Sequence, residues 1–326
     1  MMRRRYMIIA VLVLLPAALL AMQAAGMDGA ERQVTTDEAD QYMPVVDGDR
    51  IVWTDTRNGN EDIFLYNLTS GNLTQVTDEP ERQYSPAISG TRVVWADTRH
   101  GKEDIYLYDL QSGEETRITD DPGVQGDPSI EGVRIAWADV RTLNVNVYLF
   151  DLRVGNETPV TESVPFQGYP ALSDDLIVWT DNRYSNADIY LGNLTTGEET
   201  RLTINEADQY EAAFDGDRIV WTDTRNEHRD IYLYDLSTGE EVQITDDQAD
   251  QYEPAISGER IVWTDERNGN RDIYLYDLRN GEERQVTTDE ADQYEPEISG
   301  DYVVWTDERN GNRDIYLYDL SERAST

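Results

Sequence analysis

Seven tryptophans divide the chain at a constant interval of 42 residues. They are Trp53, Trp95, Trp137, Trp179, Trp221, Trp263 and Trp305. A period of roughly 40 to 50 residues is typical of propeller-type arrays, in which each repeat is one supersecondary unit. The period therefore predicts one repeat domain, although 326 residues would also allow two average domains.

Each repeat contains four short segments with β-type composition, separated by Ser-Gly and Asn-Gly turn signals. In the repeat that contains Trp263, these segments are 254–257, 260–264, 272–278 and 283–287. Four strands per repeat make one propeller blade.

The third segment indicates how the blades are arranged. Ile273 and Leu275 share one face of this strand, and Tyr274 and Tyr276 share the other. Because both faces are apolar, each blade must be packed between two neighbours. We expect Trp263 to lie in the core between blades.

The two ends of the repeat region predict a closed ring. The last repeat has no fourth segment, whereas residues 31–35 match the fourth segment of the others. The sequence thus predicts an all-β, seven-bladed propeller of four-stranded antiparallel blades, closed by residues 31–35 in the last blade. A linear solenoid is the alternative, but it would leave two sheet edges open.

Residues 1–26 have the composition of an export signal. Three arginines at positions 3–5 precede an apolar run over 6–22 and small residues at 24–26. This order is typical of a secretory signal peptide, and an uncleaved signal-anchor is the alternative. We therefore expect one propeller domain over 27–326, located outside the cell or at its surface.

The charge of the chain excludes several classes of function. The formal net charge is −39, and removal of residues 1–26 makes it −42. This charge argues against nucleic-acid binding and leaves the N-terminal segment as the only expected membrane contact. The chain has no cysteine, so disulfides and thiol chemistry are excluded. We expect a monomer.

An Asp-x-Arg pattern follows every tryptophan and predicts a structural charge network in the second hairpin of each blade. The pairs are Asp55 and Arg57, Asp97 and Arg99, Asp139 and Arg141, Asp181 and Arg183, Asp223 and Arg225, Asp265 and Arg267, and Asp307 and Arg309. The same loops resemble a calcium loop only superficially, because Arg267 stands where a ligand oxygen should be. We expect no metal site and no cofactor, with loose calcium binding by the acidic rim as the alternative.

A glutamine recurs 12 residues before each tryptophan, at the entry of the innermost strand. The seven are Gln41, Gln83, Gln125, Gln167, Gln209, Gln251 and Gln293. They are candidate ligand contacts at the channel mouth, and caps for nearby backbone groups are the alternative.

Blades 3 and 4 depart most from the repeat. Their entry loops and one hairpin are less acidic and more apolar, with Val124, Leu143, Val164, Phe166 and Tyr169. These residues form a candidate partner patch for a protein or a glycan. Neutral drift explains the same pattern.

The run WTDERNGNRDIYLYDL with the following GEERQVT resembles the Asp-rich, WD40-like repeat of TolB-type propellers. The resemblance covers residues 31–320 and implies relatives among bacterial periplasmic TolB and archaeal, methanogen cell-surface proteins. TolB itself has six blades and an additional α/β domain, so its partner-binding role does not carry over to this sequence.

These features predict an exported, non-enzymatic module that binds a protein or glycan partner or acts as a cell-surface scaffold. Two alternatives remain: a glycan hydrolase or lyase that uses carboxylates at the channel mouth, and a cation-dependent adhesin. An asymmetric cluster of buried carboxylates with shifted pKa values would favour the enzyme, and a symmetric salt-bridged ring would favour the scaffold. No catalytic residue can be chosen from the sequence, because carboxylate pairs recur throughout it.

Overall fold

A computed structural model describes residues 31–162 and 166–321 of the chain. These residues contain 28 strands, which form seven four-stranded antiparallel sheets. The predicted seven-bladed, all-β propeller is confirmed. Among the described residues no helix could cross a bilayer. The predicted export signal at 1–26 lies outside the described residues.

The strands of blades 1 to 3 follow the chain in order. Blade 1 comprises β2 (Gln41–Asp47), β3 (Arg50–Asp55), β4 (Asp62–Asn67) and β5 (Asn72–Gln75). Blade 2 comprises β6 (Gln83–Ser89), β7 (Arg92–Asp97), β8 (Asp104–Asp109) and β9 (Glu114–Arg117). Blade 3 comprises β10 (Gln125–Glu131), β11 (Arg134–Asp139), β12 (Asn146–Asp151) and β13 (Asn156–Pro159).

Blades 4 to 7 repeat this order, and blade 7 also takes in the first strand of the chain. Blade 4 comprises β14 (Gln167–Ser173), β15 (Leu176–Asp181), β16 (Asp188–Asn193) and β17 (Glu199–Arg201). Blade 5 comprises β18 (Gln209–Asp215), β19 (Arg218–Asp223), β20 (Asp230–Asp235) and β21 (Glu240–Gln243). Blade 6 comprises β22 (Gln251–Ser257), β23 (Arg260–Asp265), β24 (Asp272–Asp277) and β25 (Glu282–Gln285). Blade 7 comprises β26 (Gln293–Ser299), β27 (Tyr302–Asp307), β28 (Asp314–Asp319) and β1 (Glu31–Gln33).

The innermost strand of each blade is longer than the sequence predicted. In blade 6 it begins at Gln251, which pairs with Asp265, and not at residue 254. A β-bulge between Tyr252 and Ala255 shifts the register and lets pairing continue past Glu253. The extra residue of the bulge increases the local twist and changes the direction of its own side chain.

The hydrophobic core lies between blades, as the two apolar faces of the third strand require. Trp263 and Tyr274 of blade 6 pack against Val220, Ile231 and Leu233 of blade 5. Each of the seven tryptophans is buried, with 0 or 1% of its surface exposed. Burial of an aromatic side chain of this size is among the largest single contributions to a core.

The first strand closes the ring. Strand β1 pairs antiparallel with β28, with Glu31 opposite Tyr318. Thr35 Oγ1 accepts a hydrogen bond of 2.8 Å from the backbone N–H of Ile315. A separate core cluster joins blade 7 to blade 1 and includes Trp53 and Leu317. The alternative of a linear solenoid is therefore wrong.

Deletion of residues 1–36 should destabilise the propeller relative to a chain that starts at residue 27. The last blade then loses the backbone hydrogen bonds of β1 and the Thr35 contact, at about 1 kcal/mol for each of roughly three bonds. Denaturant unfolding followed by tryptophan fluorescence measures the difference. Glu31→Ala is the control, because it removes only an exposed ion pair, worth less than about 1 kcal/mol. Equal stability of the two chain lengths would contradict a role for closure.

Candidate functional site

A buried aspartate organises the second hairpin of each blade. In blade 6 the carboxylate of Asp265 accepts a hydrogen bond of 2.9 Å from the Trp263 indole N–H. It also accepts bonds from the backbone N–H, Nε and Nη2 of Arg267, at 3.0, 2.9 and 2.6 Å. Asp265 has no exposed surface, so burial strengthens this charge-assisted set.

The arginine of this pair extends the network across the blade. The guanidinium of Arg267 lies 4.3 Å above the ring of Tyr274, and its Nη1 donates to Glu283 at 2.6 Å. Burial alone would lower the pKa of Arg267, but the hydrogen bonds and negative charges of Asp265 and Glu283 together outweigh it, so the pKa is raised. The Arg267 guanidinium therefore stays charged, and it is bound to Asp265 and Glu283.

The same Asp–Arg pair forms in all seven blades. The salt bridges join Asp55 to Arg57, Asp97 to Arg99, Asp139 to Arg141, Asp181 to Arg183, Asp223 to Arg225, Asp265 to Arg267 and Asp307 to Arg309. Because these carboxylates are filled by donors of their own blade, they leave no free position for a ligand. No group of three or more acidic or histidine side chains in residues 31–162 and 166–321 is arranged to hold a metal ion.

The recurring glutamines are not exposed at the channel mouth. All seven side chains have 0% exposed surface. Gln209 Nε2 donates to the carbonyl of Ala207 at 2.7 Å, and Gln167 Nε2 donates to Asp181 at 2.6 Å. Five of them hold the loops that enter their blades, each through a bond to the backbone carbonyl two residues earlier. The burial of all seven argues against a role as ligand contacts.

The surface of the channel is set instead by the bulge residue two positions after each glutamine. This residue adopts the left-handed conformation in every blade, with φ between 50° and 56°. The seven are Met43, Ser85, Asp127, Tyr169, Glu211, Glu253 and Glu295. A non-glycine residue there costs of the order of 1–3 kcal/mol, which the surrounding structure must offset. These residues share no chemical type, so no recurring residue in the sequence indicates this ring.

Three consecutive glutamates of this ring connect neighbouring blades. Glu253 Oε2 accepts from the Thr264 hydroxyl at 2.9 Å and from the backbone N–H of Glu295 at 3.1 Å. Glu211 bonds in the same way to Thr222 and to the N–H of Glu253. Glu295 reaches the N–H of Met43 at 3.0 Å. In each glutamate Oε1 has no hydrogen bond to the described part of the chain, so three oriented carboxylates present one free oxygen each.

A fourth carboxylate lies among them. Glu297 lines a cavity of about 370 Å³ together with Met43, Glu211, Glu253 and Glu295. The equivalent positions of the other blades hold small or apolar side chains, namely Val45, Ala87, Ser129, Ala171, Ala213 and Ala255. Burial raises the pKa of Glu297 to about 7, and burial also raises the pKa of Glu211 and Glu295. Sequence reasoning missed Glu297, although QYEPEIS differs from QYEPAIS at this position.

Part of the predicted partner patch lines a second cavity at blades 4 and 5. We call it the Tyr210 cleft; it measures about 460 Å³ and is lined by Phe166, Tyr169, Asn182, Asp208, Tyr210 and Glu211, among others. The rings of Phe166 and Tyr169 are 5.9 Å apart. The Phe166 ring fits here because residue 168 is a glycine. A Cβ atom at position 168 would lie only 2.8 Å from that ring.

The remaining residues of the predicted patch do not line this cleft. Leu143 is fully exposed on the hairpin of blade 3, and Val124 is 39% exposed. Val164 lies outside the described residues. The structure therefore brings together only Phe166 and Tyr169 of the five.

Residues 211–326 match the model of the TolB beta propeller domain. The resemblance to TolB-type propellers is confirmed. A comparison with curated proteins found no match.

Solved structures with a similar fold include enzymes and a TolB-type protein. Oligogalacturonate lyase from Vibrio parahaemolyticus is 14% identical, with a TM-score of 0.68 over 90% of this chain and 94% of that one. Acylaminoacyl peptidase from Pyrococcus horikoshii is 18% identical, with a TM-score of 0.69 over 88% of this chain and 52% of the peptidase. The putative TolB from Agrobacterium tumefaciens is 17% identical, with a TM-score of 0.55 over 78% of this chain and 96% of that one.

These structures contradict our prediction of a non-enzymatic binding or scaffold module. Propellers of this shape occur in a lyase and, over about half of its length, in a peptidase. At these identities the likeness shows the fold alone, and that fold is shared by enzymes and by TolB-type proteins.

Replacement of Asp265 by alanine should destabilise the propeller by about 3–5 kcal/mol. The substitution leaves the Trp263 indole N–H and the Arg267 guanidinium without their buried acceptor. Urea unfolding measures the loss of free energy. Asp246→Ala is the matched control, because Asp246 is exposed, and it should change stability by less than about 0.5 kcal/mol. Equal effects of the two substitutions would contradict the proposed structural role of Asp265.

Glu297→Gln should raise the melting temperature at pH 8 and leave it unchanged near pH 4. The folded chain holds the Glu297 proton more tightly than the unfolded chain, because the folded-state pKa is raised to about 7. Its contribution to stability is therefore complete below the unfolded pKa and is lost as the pH rises through about 7.

The measurement is circular dichroism melting from pH 4 to 8.5 at constant ionic strength. Glu290→Gln, at an exposed loop position, should show no pH-dependent difference from the parent chain. A difference between Glu297→Gln and the parent chain that is the same at every pH would contradict burial of an ionisable group.

Proposed function

We propose that the protein is a hydrolase of uncharged glycans that uses the carboxylates of the central channel. The observation that supports this most is the asymmetry of these carboxylates. The hairpin Asp–Arg pairs repeat seven times and are neutralised. Glu211, Glu253, Glu295 and Glu297 instead occupy only blades 5 to 7 and line one cavity. Catalysis needs groups with different roles, and a symmetric ring cannot supply them.

Glu297 has the properties of a proton donor. With a pKa of about 7, its carboxyl group is substantially protonated at neutral pH. Protonation of the glycosidic oxygen by such a group is the first requirement of glycoside hydrolysis. Glu297 accordingly takes the role of general acid in this proposal.

Glu253 is placed to serve as the partner carboxylate. It lies between Glu211 and Glu295 in the ring, and two hydrogen bonds fix its Oε2. Its other oxygen is left for water or for the sugar carbon. Glycoside hydrolysis requires only two such carboxyl groups, so this cavity needs no Ser or Cys nucleophile.

The charge of the chain favours an uncharged substrate. A surface with a formal charge of −39 repels polyanions such as uronic acid chains, which a lyase of the oligogalacturonate type would have to bind. Residues 1–26, with their signal-like composition, support action outside the cytoplasm, where glycan substrates are accessible.

A panel of neutral aryl glycosides and neutral polysaccharides, assayed for released aglycone and reducing ends, tests the proposal. The chain 27–326 should turn over at least one member with a rate that falls as the pH rises through about 7. Glu297→Gln should lower kcat by about 100-fold or more with little change in KM. Glu290→Gln should leave kcat unchanged. No turnover across the panel between pH 4 and 8, or a wild-type kcat in Glu297→Gln, would overturn the assignment.

A further inference from the structure

Three junctions between blades contain the same arginine-on-tyrosine contact. The guanidinium groups of Arg229, Arg271 and Arg313 lie 3.9 to 4.0 Å above tyrosine rings of the following blade. Those rings belong to Tyr252, Tyr294 and Tyr42, respectively. Each pair is a cation–π contact.

An aspartate completes each of these contacts. Arg229 Nη2 donates to Asp250 Oδ2 at 2.8 Å, and the Arg229 backbone N–H donates to Asp250 Oδ1 at 2.9 Å. Asp292 and Asp40 hold Arg271 and Arg313 in the same way, with Nη2 distances of 2.7 and 2.8 Å. These three junctions are thus filled guanidinium sites, each made of one ring and one carboxylate.

The junction between blades 4 and 5 has the ring and the carboxylate but no arginine. Tyr210 and Asp208 occupy the positions of Tyr252 and Asp250, whereas Ala187 stands where Arg229 stands in the next blade. The Ala187 backbone N–H still donates to Asp208 Oδ1 at 2.8 Å, so Asp208 keeps its orientation. Within residues 31–162 and 166–321, no side chain donates to Asp208 Oδ2.

The space of the missing arginine is the Tyr210 cleft. Tyr84 occupies the same position in blade 2, and the guanidinium of Arg82 lies 4.7 Å above its ring. Tyr210 is therefore the one tyrosine at this position in the described chain that has no guanidinium stacked on it. Arg229 lies near the Tyr210 hydroxyl, but its guanidinium stacks on Tyr252 and not on Tyr210. Glu211 and Tyr169 line the same cleft and add a second carboxylate and a second aromatic wall.

We propose that the Tyr210 cleft binds a guanidinium group supplied from outside the chain, either as free arginine or as an arginine side chain of a peptide. The ligand takes the place that Arg229, Arg271 and Arg313 take in their own junctions. Its plane stacks on Tyr210, and its N–H groups pair with Asp208 Oδ2. The strongly negative chain draws such cations towards the cleft. The cleft shares Glu211 with the cavity of Glu297, but the proposal does not depend on hydrolase chemistry there.

The experiment is calorimetric titration of the chain 27–326 at 0.15 M salt. The probes are free arginine, Nα-acetyl-arginine amide as the peptide-like form, and Nα-acetyl-lysine amide as a cation without the planar group. We expect one site for at least one arginine probe, with the lysine probe at least fivefold weaker. Tighter binding of the amide identifies a peptide ligand, and tighter binding of free arginine identifies the amino acid. Equal binding of the lysine and arginine probes would overturn the proposal, because it would indicate attraction by net charge alone.

Two variants make the test independent of folding failure. Ala187→Arg restores the internal arginine, so it should keep or raise the melting temperature and weaken binding of the arginine probe at least tenfold. Arg271→Ala empties an equivalent junction, so it should raise the stoichiometry from one site to two. Unchanged binding in Ala187→Arg would refute the cleft as the site.

Discussion

The buried carboxylate two residues after each tryptophan is the group on which the rest of the propeller depends. In blade 6 it binds the indole of Trp263, which fills the core between blades, and the guanidinium of Arg267. That guanidinium in turn covers Tyr274 of the third strand and pairs with Glu283 of the fourth. One aspartate therefore links the packing between blades to the packing within a blade, and it does so seven times.

The side chains available for function in this molecule are those that depart from the repeat. The charges of the repeated Asp–Arg pairs are neutralised within the fold, since each ion pair forms inside its own hairpin. Two substitutions leave chemistry unused: Glu297 replaces a small side chain in the channel, and Ala187 replaces an arginine that elsewhere covers a tyrosine. Both lie in blades whose backbone follows the common pattern, so the scaffold is the same while the side-chain chemistry differs.

The architecture could be predicted from the sequence because a constant period fixes the blade count, the turns and the closing strand at once. The directions of the side chains could not be predicted, because they depend on the β-bulge at residues such as Glu253. This bulge turned the neighbouring Gln251 into the interior and placed the glutamate at the channel. The vacancy at Ala187 was equally hidden. The missing arginine can be recognised only once the contact between Arg271 and Tyr294 is known, because that contact joins two different blades.

Closure by β1 also dictates the order of events when the chain is made. Gln33 leaves the ribosome among the earliest residues of the domain, yet its side chain bonds to Asp314, 281 positions later. Strand β1 consequently waits unpaired during almost all of synthesis, and blades 1 to 6 can assemble before the ring is sealed. The last blade cannot be completed until the oldest and the newest segments of the domain come together.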